Sequence, residues 1–327
     1  MKKIIVAIVL ATLALFAGKL HINFNDGTPT VEIDFTDLNH IEIIDDMVLI
    51  PGGTYMRGDH FDEGWSGELP VHQVTLNSFY MSRFLVTQKE WRDILGSNPA
   101  HSYGVGDNYP VYYISWYAII KYCNLRSKAE GFTPVYTIDN STNPADWGDV
   151  PDESNEIWDA VVCDFSANGY RLPTDAEWEY AARGGLEGQR FPNGATISHG
   201  KNGDTQANYR SSWRIDRPNY FYDVSQTEGH HPDFNGTSSP VGTFPPNGYG
   251  LYDMSGNLWE WSWDWWHYYT EDAQVNPTGP EAGSFRTVRG GGHWQYDAYY
   301  CRVSNRNLLM PLISYDRFIG FRVVRSH

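Results

Sequence analysis

A long internal stretch without hydrophobic periodicity, residues 185–247, constrains the fold of this chain more than any other feature. It is rich in Gly, Asn, Pro, Ser and Asp, and it is too long to be an inert loop inside a compact domain. The whole chain is rich in residues that interrupt regular structure, with 31 Gly and 18 Pro among 327 residues, and 15% of its residues are aromatic. Such frequent breaks exclude a fold of long helices. We expect a loop-rich fold with short elements, in which something other than apolar packing holds this stretch.

Short strands and separately capped helices are predicted before this stretch. Near-alternation of β-branched and aromatic residues predicts strands within MVLIPGGTYMRG (47–58) and HQVTLNSFYMSRFLVT (72–87). Three further segments open on Thr or Ser as an N-cap and close on Gly, which predicts short helices. These segments are TQKEWRDILG (87–96), SWYAIIKYCNLRSKAEG (115–131) and TDAEWEYAARG (174–184). In the first and third, a Glu three residues after the Thr completes a capping box.

Four tryptophans alternate with polar residues in WEWSWDW (259–265), after the irregular stretch. Alternate residues of a strand point to opposite faces, so the indoles share one face while Glu260, Ser262 and Asp264 share the other. An indole row of this kind is typical of a core. We therefore expect these indoles to be buried.

The amino-terminal segments are expected to serve export rather than binding. Residues 1–18 have a charged start and a short apolar run with a small-residue exit near Ala17, which favours a secretory signal. Because Leu15 fits the cleavage pattern poorly, an uncleaved anchor stays open. Residues 19–45 alternate weakly and are interpreted as an amino-terminal arm. Residues 46–327 show no second composition regime and no fixed-period repeat, so we expect one domain there.

The charge balance of the chain limits the kinds of molecule that it can bind. A total of 24 basic and 40 acidic residues gives a net charge of −16. This field repels phosphate backbones and anionic membrane surfaces, so nucleic acid is excluded and membrane contact is expected only through the amino-terminal segment. The expected location is outside the cytoplasm: cell surface, periplasm or secreted.

Three cysteines, Cys123, Cys163 and Cys301, allow at most one internal disulfide and exclude a disulfide scaffold. Pairing of Cys123 with Cys163 stays open.

Six motifs resemble the formylglycine-generating-enzyme domain, also called the sulfatase-modifying-factor domain, and they follow the order of that family. They are IPGGTYMRG (50–58), ELPVHQVTLNSFYMSRFLVTQKEW (68–91), YRLPTDAEWEYAARGG (170–185), FPPNGYGLYDMSGNLWEW (244–261), VRGGGHW (288–294) and IGFRVVRS (319–326). The resemblance implies an α+β fold, a variant of the C-type lectin fold with a small antiparallel sheet, a few short helices and much irregular chain. Activity does not follow from the fold, because function lies in sites.

The enzymatic activity of this family depends on thiols that this chain lacks. The enzyme oxidises a sulfatase cysteine to formylglycine with O₂, and the resemblance would require two close cysteines near the carboxy terminus to hold Cu(I), a soft ion that prefers thiolates. Here that segment has Cys301 alone, and no spacing brings Cys123 or Cys163 to it. The alternative for Cys301 is a small buried apolar residue beside Tyr299 and Tyr300. Copper is therefore not expected. Sulfoxide-synthase relatives need extra histidines, but the 11 His include no His-x3-His cluster.

A calcium site is implied by the same resemblance in DMSGNLWE (253–260). Asp253 and Glu260 would give side-chain oxygens, while Gly256 and Leu258 would give backbone carbonyls, as a hard cation requires. The alternative is a solvated Asp253 and a Glu260 paired with an arginine.

A second calcium site would involve Asn208, Tyr209 and the neighbourhood of Asp233 and Phe234, although HPDFNG departs there from the family spacing. Bound calcium would explain how the stretch 185–247 stays ordered, because ligand bonds replace missing apolar burial. Export to a calcium-containing space is consistent with this interpretation.

The segment 289–327 is predicted to carry a ligand-binding surface. Its framework, which is ordinary for the family, comprises Arg289, Gly290, Gly291, Trp294, Ala298, Cys301, Arg302, Asn305, Arg306, Pro311, Arg317, Gly320, Phe321 and Arg322. The intervening residues mix apolar, aromatic and acidic types without periodicity. This arrangement resembles the variable region of proteins diversified by retroelements, in which a lectin-type fold presents variable side chains to a ligand. The candidate ligand-binding residues come from these intervening positions, together with Trp294 of the framework. They are His293, Trp294, Gln295, Tyr296, Asp297, Tyr299, Tyr300, Leu308, Leu309, Met310, Leu312, Ser314, Tyr315, Asp316 and Phe318.

Tyrosine suits such a surface, since it offers a large amphipathic contact area and only two side-chain torsions to immobilise. The partner would be a protein or another macromolecule. For Leu308, Leu309 and Ile313 the alternative is core packing beneath the last strands.

Three hypotheses remain open from the sequence. The leading one is an exported, calcium-stabilised binding protein. The second is a formylglycine-generating or related oxidase that uses Cys301 in an atypical way. The third is a structural adaptor of the cell envelope.

Overall fold

The computed structural model describes residues 46–199, 206–211, 223–225, 230–294, 297–313 and 316–327, together with the backbone of 19–22 and 31–34. The chain divides into two units, Met1–Asp45 and Asp46–His327. In the first unit, strand β1 (Lys19–Ile22) pairs antiparallel with β2 (Val31–Asp34). The predicted signal or anchor at 1–18 lies outside the described residues. Of the helices in the described ranges, none combines the length and hydrophobicity needed to cross a membrane.

The second unit is built on short strands. In chain order they are β3 (Met47–Ile50), β4 (Gly53–Arg57), β5 (His72–Leu76), β6 (Phe79–Ser82), β7 (Tyr136–Thr137), β8 (Val162–Cys163), β9 (Trp259–Trp265), β10 (Gln274–Val275), β11 (Arg286–Arg289), β12 (Arg306–Leu309), β13 (Ile319–Gly320) and β14 (Val324–Ser326). Their sheets have the orders β10-β5-β4, β14-β6-β3, β12-β11-β9-β13 and β7-β8. The pairs β10 with β5 and β13 with β9 are parallel. The predicted strands in 47–58 and 72–87 are confirmed. They belong to two sheets, because β3 pairs with β6 and β4 with β5.

The described ranges contain four α-helices, three of which begin directly after the Thr or Ser predicted to cap them, whereas the short helix at 156–159 was not predicted. They are α1 (Gln88–Leu95), α2 (Trp116–Glu130), α3 (Glu156–Asp159) and α4 (Asp175–Ala182). Thr87 and Thr174 each form a complete capping box, and Ser115 caps α2. Gly96 and Gly131 end α1 and α2 in the left-handed conformation. With small sheets, short helices and much irregular chain, the described fold is mixed α+β, as predicted.

Strand β9 runs through the interior. Trp261 is fully buried and Trp259 and Trp265 are nearly so, which confirms the expected burial for these three indoles, while Trp263 is half-buried. The polar face of the strand is buried as well, since Glu260 has no exposed surface. The sequence predicted one buried face, and the structure buries two.

Ion pairs compensate the buried acids of this region. At the start of α4, Asp175 forms ion pairs with three arginines. These are Arg57 of β4, Arg289 of β11 and Arg306 of β12. Because the four side chains are buried, the pairs connect two sheets to one helix.

Candidate functional site

Strand pairing places different parts of the predicted binding segment, 289–327, at opposite ends of β9. At one end, Ile319 of β13 pairs with Trp259. At the other end, Leu309 of β12 pairs with Arg286, which pairs with Trp265. The seven residues of β9 make six steps and span about 20 Å of strand. The segment 289–327 therefore contributes to two separate places rather than to one patch.

At the Trp259 end lies a group that we call the terminal aromatic cluster: Tyr103, His230, Trp294, Arg317 and Phe318. The rings of Trp294 and Phe318 stack with centroids 5.7 Å apart. The guanidinium of Arg317 lies 3.9 Å from the ring of Tyr103, 4.6 Å from Trp294 and 4.8 Å from Phe318. The ring of His230 lies 5.0 Å from Trp294. All five residues are half-buried, so aromatic surface remains accessible.

Only part of this cluster was predicted from the sequence. Arg317 was assigned to the family framework, and Tyr103 and His230 had no predicted role. No local pattern marks these residues, because the fold brings them together from distant parts of the chain.

Tyr299 and Tyr300 lie on a short 3-10 helix, Ala298–Cys301, and both are half-buried. Their rings make an edge contact with centroids 5.2 Å apart. The guanidinium of Arg302 lies 4.3 Å from the Tyr299 ring, and Tyr300 lies 6.2 Å from Trp259. The two tyrosines therefore lie at the same end of β9 as the terminal aromatic cluster.

At the Trp265 end the candidates are aliphatic. Leu308, Leu309 and Leu312 are half-buried and Met310 is exposed, whereas Ile313 is buried, which fits the core alternative for that residue. The chain then returns towards Trp259.

On that return, the half-buried Asp316 accepts a hydrogen bond from the backbone N–H of Phe318 through its Oδ1 at 2.8 Å. Burial raises the pKa of Asp316.

Two candidates have interior side chains. His293 is fully buried and its Nδ1 lies 2.7 Å from the carbonyl of Asn257; burial lowers its pKa to about 4, so the ring is neutral at physiological pH. Asp297 is 7% exposed and caps the short helix by accepting from the Tyr299 N–H. Neither side chain forms part of the exposed surface. Four other candidates lie outside the described residues: Gln295, Tyr296, Ser314 and Tyr315.

Cys301 is fully buried in an apolar cluster with Phe191, Ile197, Ala207, Tyr209 and Ala298. Burial raises the pKa of its thiol, and the nearby Asp223 and Asp297 carboxylates raise it further. All three cysteines are free thiols, with Cys123 in α2 and Cys163 in β8. A buried neutral thiol is a poor metal ligand and a poor nucleophile.

The first predicted calcium site is only partly available. Asp253 is buried; its Oδ2 accepts from the N–H of Gly242 at 2.9 Å, while its Oδ1 has no hydrogen-bond partner among the described groups. Burial raises the pKa of Asp253 to about 6. Glu260, in contrast, uses one oxygen on Arg322 and the other on both Arg322 and the indole of Trp178, at 2.7–2.8 Å. Glu260 thus matches the ion-pair alternative, whereas Asp253 is buried rather than solvated and forms no ion pair with a described arginine.

The backbone of this motif packs closely against the second predicted site. Gly256 has a φ of +78°, and a Cβ there would lie 2.5 Å from the carbonyl oxygen of Asn208. That carbonyl accepts from the N–H of Asn257 at 2.7 Å. Leu258 is fully buried. The two sites predicted separately are therefore neighbours.

In the second site, Asn208 donates through its Nδ2 to the carbonyl of Thr237 at 3.0 Å, and its buried Oδ1 has no partner among the described groups. The hydroxyl of Tyr209 donates to Asp223 at 2.8 Å. Asp233 is exposed, and its backbone N–H donates to His231. The acid beside Tyr209 is therefore Asp223, which the sequence analysis did not single out because no motif marks it. No group of three or more His, Cys, Asp and Glu in the described ranges could hold a metal ion.

Comparison with known proteins shows the family. A family model described as "Sulfatase-modifying factor enzyme 1-like domain" matches residues 35–327. The chain is 36% identical over 302 residues to the chaperone protein LppX of Paenibacillus barcinonensis, covering 87% of this chain and 90% of that protein. It is 30% identical over 305 residues to the formylglycine-generating enzyme of Bos taurus, covering 86% of this chain and 75% of the enzyme.

Among solved structures, Treponema denticola variable protein 1 superimposes with a TM-score of 0.69 at 30% identity, covering 86% of this chain and 95% of that one. This similarity confirms the predicted fold. The chain belongs to the family of sulfatase-modifying factor enzyme 1-like domains, with the C-type lectin-like fold that it shares with that variable protein.

Proposed function

We propose that this protein is an exported, calcium-stabilised binding protein and that its carboxy-terminal face holds a protein or another macromolecule. The observation that carries the proposal is the partial exposure of Trp294, Tyr299, Tyr300 and Phe318 at one end of β9. Large aromatic side chains contribute most of the binding energy at interfaces, because they bury much surface at little entropic cost.

The similar proteins support a binding role. One is named a variable protein, and another, at 36% identity, is named a chaperone. A chaperone acts on other proteins, which favours a protein as the partner here. Retroelement diversification belongs to the same proposal. It requires a reverse-transcriptase gene nearby and a near-identical template repeat with adenines at the codons of the variable positions.

The alternative activity, formylglycine generation, has support from the relative in Bos taurus but not from the thiols of this chain. That activity would rest on Cys301, whose thiol is buried and whose pKa is raised. The binding role needs no reactive thiol.

Calcium would be held by buried oxygens that accept no hydrogen bond from the described groups. Buried polar atoms are nearly always satisfied, so the Oδ1 atoms of Asp253 and Asn208 are candidate ligands. The carbonyls of Gly256 and Leu258 would complete the first site. Glu260 is left out, because Arg322 and Trp178 engage both of its oxygens. Export rests on the apolar run within residues 1–18.

A pull-down from envelope and secreted fractions tests the binding face. We expect the double variant Tyr299→Ala, Tyr300→Ala to recover at least about tenfold less ligand than the wild type, since it loses two aromatic contacts. Tyr268→Ala is the matched control, because Tyr268 is 58% exposed but lies beyond the Trp265 end of β9. Equal recovery by the double variant and the wild type would contradict a binding role for this face.

A further inference from the structure

We propose that Arg317 is the specificity-determining residue of the terminal aromatic cluster and that it binds a carboxylate group of an acidic peptide segment in the ligand. The inference rests on the proposed function and adds the chemistry of the partner.

The rings hold the guanidinium in one orientation. Tyr103, Trp294 and Phe318 all lie within 4.8 Å of it. A guanidinium stacked on aromatic faces keeps its N–H donors in its own plane, where they remain available to an acceptor. Stacking also removes much of the entropic cost of ordering a long side chain before the ligand arrives.

Arg317 forms no ion pair with any carboxylate in the part of the chain that the structure describes. Within the described ranges no carboxylate oxygen lies within 4.0 Å of its guanidinium, and its Nε is buried without an acceptor. The buried Arg289, Arg302 and Arg322 all have ion pairs. The adjacent carboxylate of Asp316 accepts from the N–H of Phe318 instead. A buried donor without an acceptor destabilises the protein, and an acceptor from a ligand would remove that cost.

A carboxylate is the acceptor that fits best. The planar fork of arginine matches a carboxylate with two parallel hydrogen bonds, and such charge-assisted bonds are stronger than neutral ones. A polyphosphate chain is disfavoured, because the net charge of −16 repels polyanions at long range. An Asp or Glu side chain within a peptide carries one charge, and its flanking residues can contact the surrounding rings.

Panning the full chain against a displayed library of random dodecapeptides tests the inference. Non-specific attraction to so acidic a protein favours basic peptides, so selection of Asp or Glu against that background identifies a specific site. We expect the wild type to enrich acidic residues at one position. A synthetic peptide with Glu there should bind about tenfold more tightly than its Gln counterpart, given the strength of charge-assisted bonds.

Three variants complete the design. Arg317→Gln should abolish the difference between the Glu and Gln peptides, and Arg317→Lys should retain only part of it, because lysine keeps the charge without the planar fork. Arg92→Gln removes the same charge from an exposed ion pair with Asp107 and should leave the difference intact. Melting temperatures establish that each variant is folded.

The outcomes separate this inference from the proposed function. Selected peptides without acidic preference, or a preference that survives in Arg317→Gln, would overturn the role of Arg317 while leaving the binding face in place. If no peptide depends on Tyr299, Tyr300 or Arg317, both the inference and the binding face fail.

Discussion

Single residues of this protein owe their chemistry to partners that are distant in sequence. Glu260 had two open interpretations, a calcium ligand or the partner of an arginine. The structure places Arg322 beside it, 62 residues further along the chain. Cys301 is a contrasting case, since the absence of a neighbouring thiol was already visible in the sequence. The structure buries Cys301 among apolar side chains, which fits the alternative of a small buried apolar residue.

At the scale of single residues, we predict that the Cys301 thiol reacts slowly with thiol reagents in the folded protein. Burial and two nearby carboxylates raise the pKa of its thiol, so a thiolate-directed reagent should modify it at least about a hundredfold more slowly than in denatured chain. Mass spectrometry after timed labelling measures this ratio, with guanidinium-unfolded protein as the control. Copper-dependent oxidation of a sulfatase peptide that disappears in Cys301→Ala would instead favour the oxidase alternative.

Three of the helices, α1, α2 and α4, were predictable because their capping signals are local. Thr87 with Glu90 and Thr174 with Glu177 are three residues apart, and each pair forms the capping box that its spacing predicts. The sequence does not show what else each Glu contacts. Glu90 pairs with Arg126 near the surface, whereas Glu177 makes two bonds to the buried Arg171.

This difference predicts that replacing Glu by Gln lowers the free energy of unfolding by different amounts at the two positions. Glu177→Gln should destabilise the protein by roughly 3 kcal/mol, because it leaves Arg171 as an uncompensated buried charge. Glu90→Gln should cost about 1 kcal/mol or less, because the Glu90 carboxylate is 39% exposed. Gln keeps an amide oxygen for the cap in both variants, so each serves as the control for the other. Urea unfolding measures both free energies, and equal losses would show that the buried ion pair adds nothing.

At the scale of the whole molecule, the motifs were sufficient to predict the family fold but not the layout of its surface. The segment 289–327 suggested one continuous face, yet pairing of Leu309 and Ile319 at opposite ends of β9 separates its members. Pairing between strands that are distant in sequence depends on side-chain packing across the sheet, so local patterns do not encode it. The partners of the irregular stretch 185–247 were hidden for the same reason, as the contact of Asp223 with Tyr209 illustrates.

The proposed calcium dependence would be a property of the whole fold, and Asp253 provides a test in which the effect of one substitution on stability changes sign. Folding raises the pKa of Asp253 from 3.8 to about 6, so without calcium the folded state holds a proton that the unfolded state has released. Stability should therefore fall as the pH rises from about 4 to 6, and the buried charge costs at most about 3 kcal/mol at neutral pH.

In chelator at neutral pH, Asp253→Asn should accordingly melt at a higher temperature than the wild type. In millimolar calcium the order should reverse, because the ion stabilises only a protein that retains the carboxylate. Asp233→Asn is the matched control; its side chain is exposed, so its response to calcium should equal that of the wild type. A wild-type melting temperature that chelator leaves unchanged would rule out structural calcium and require another account of how residues 185–247 are held.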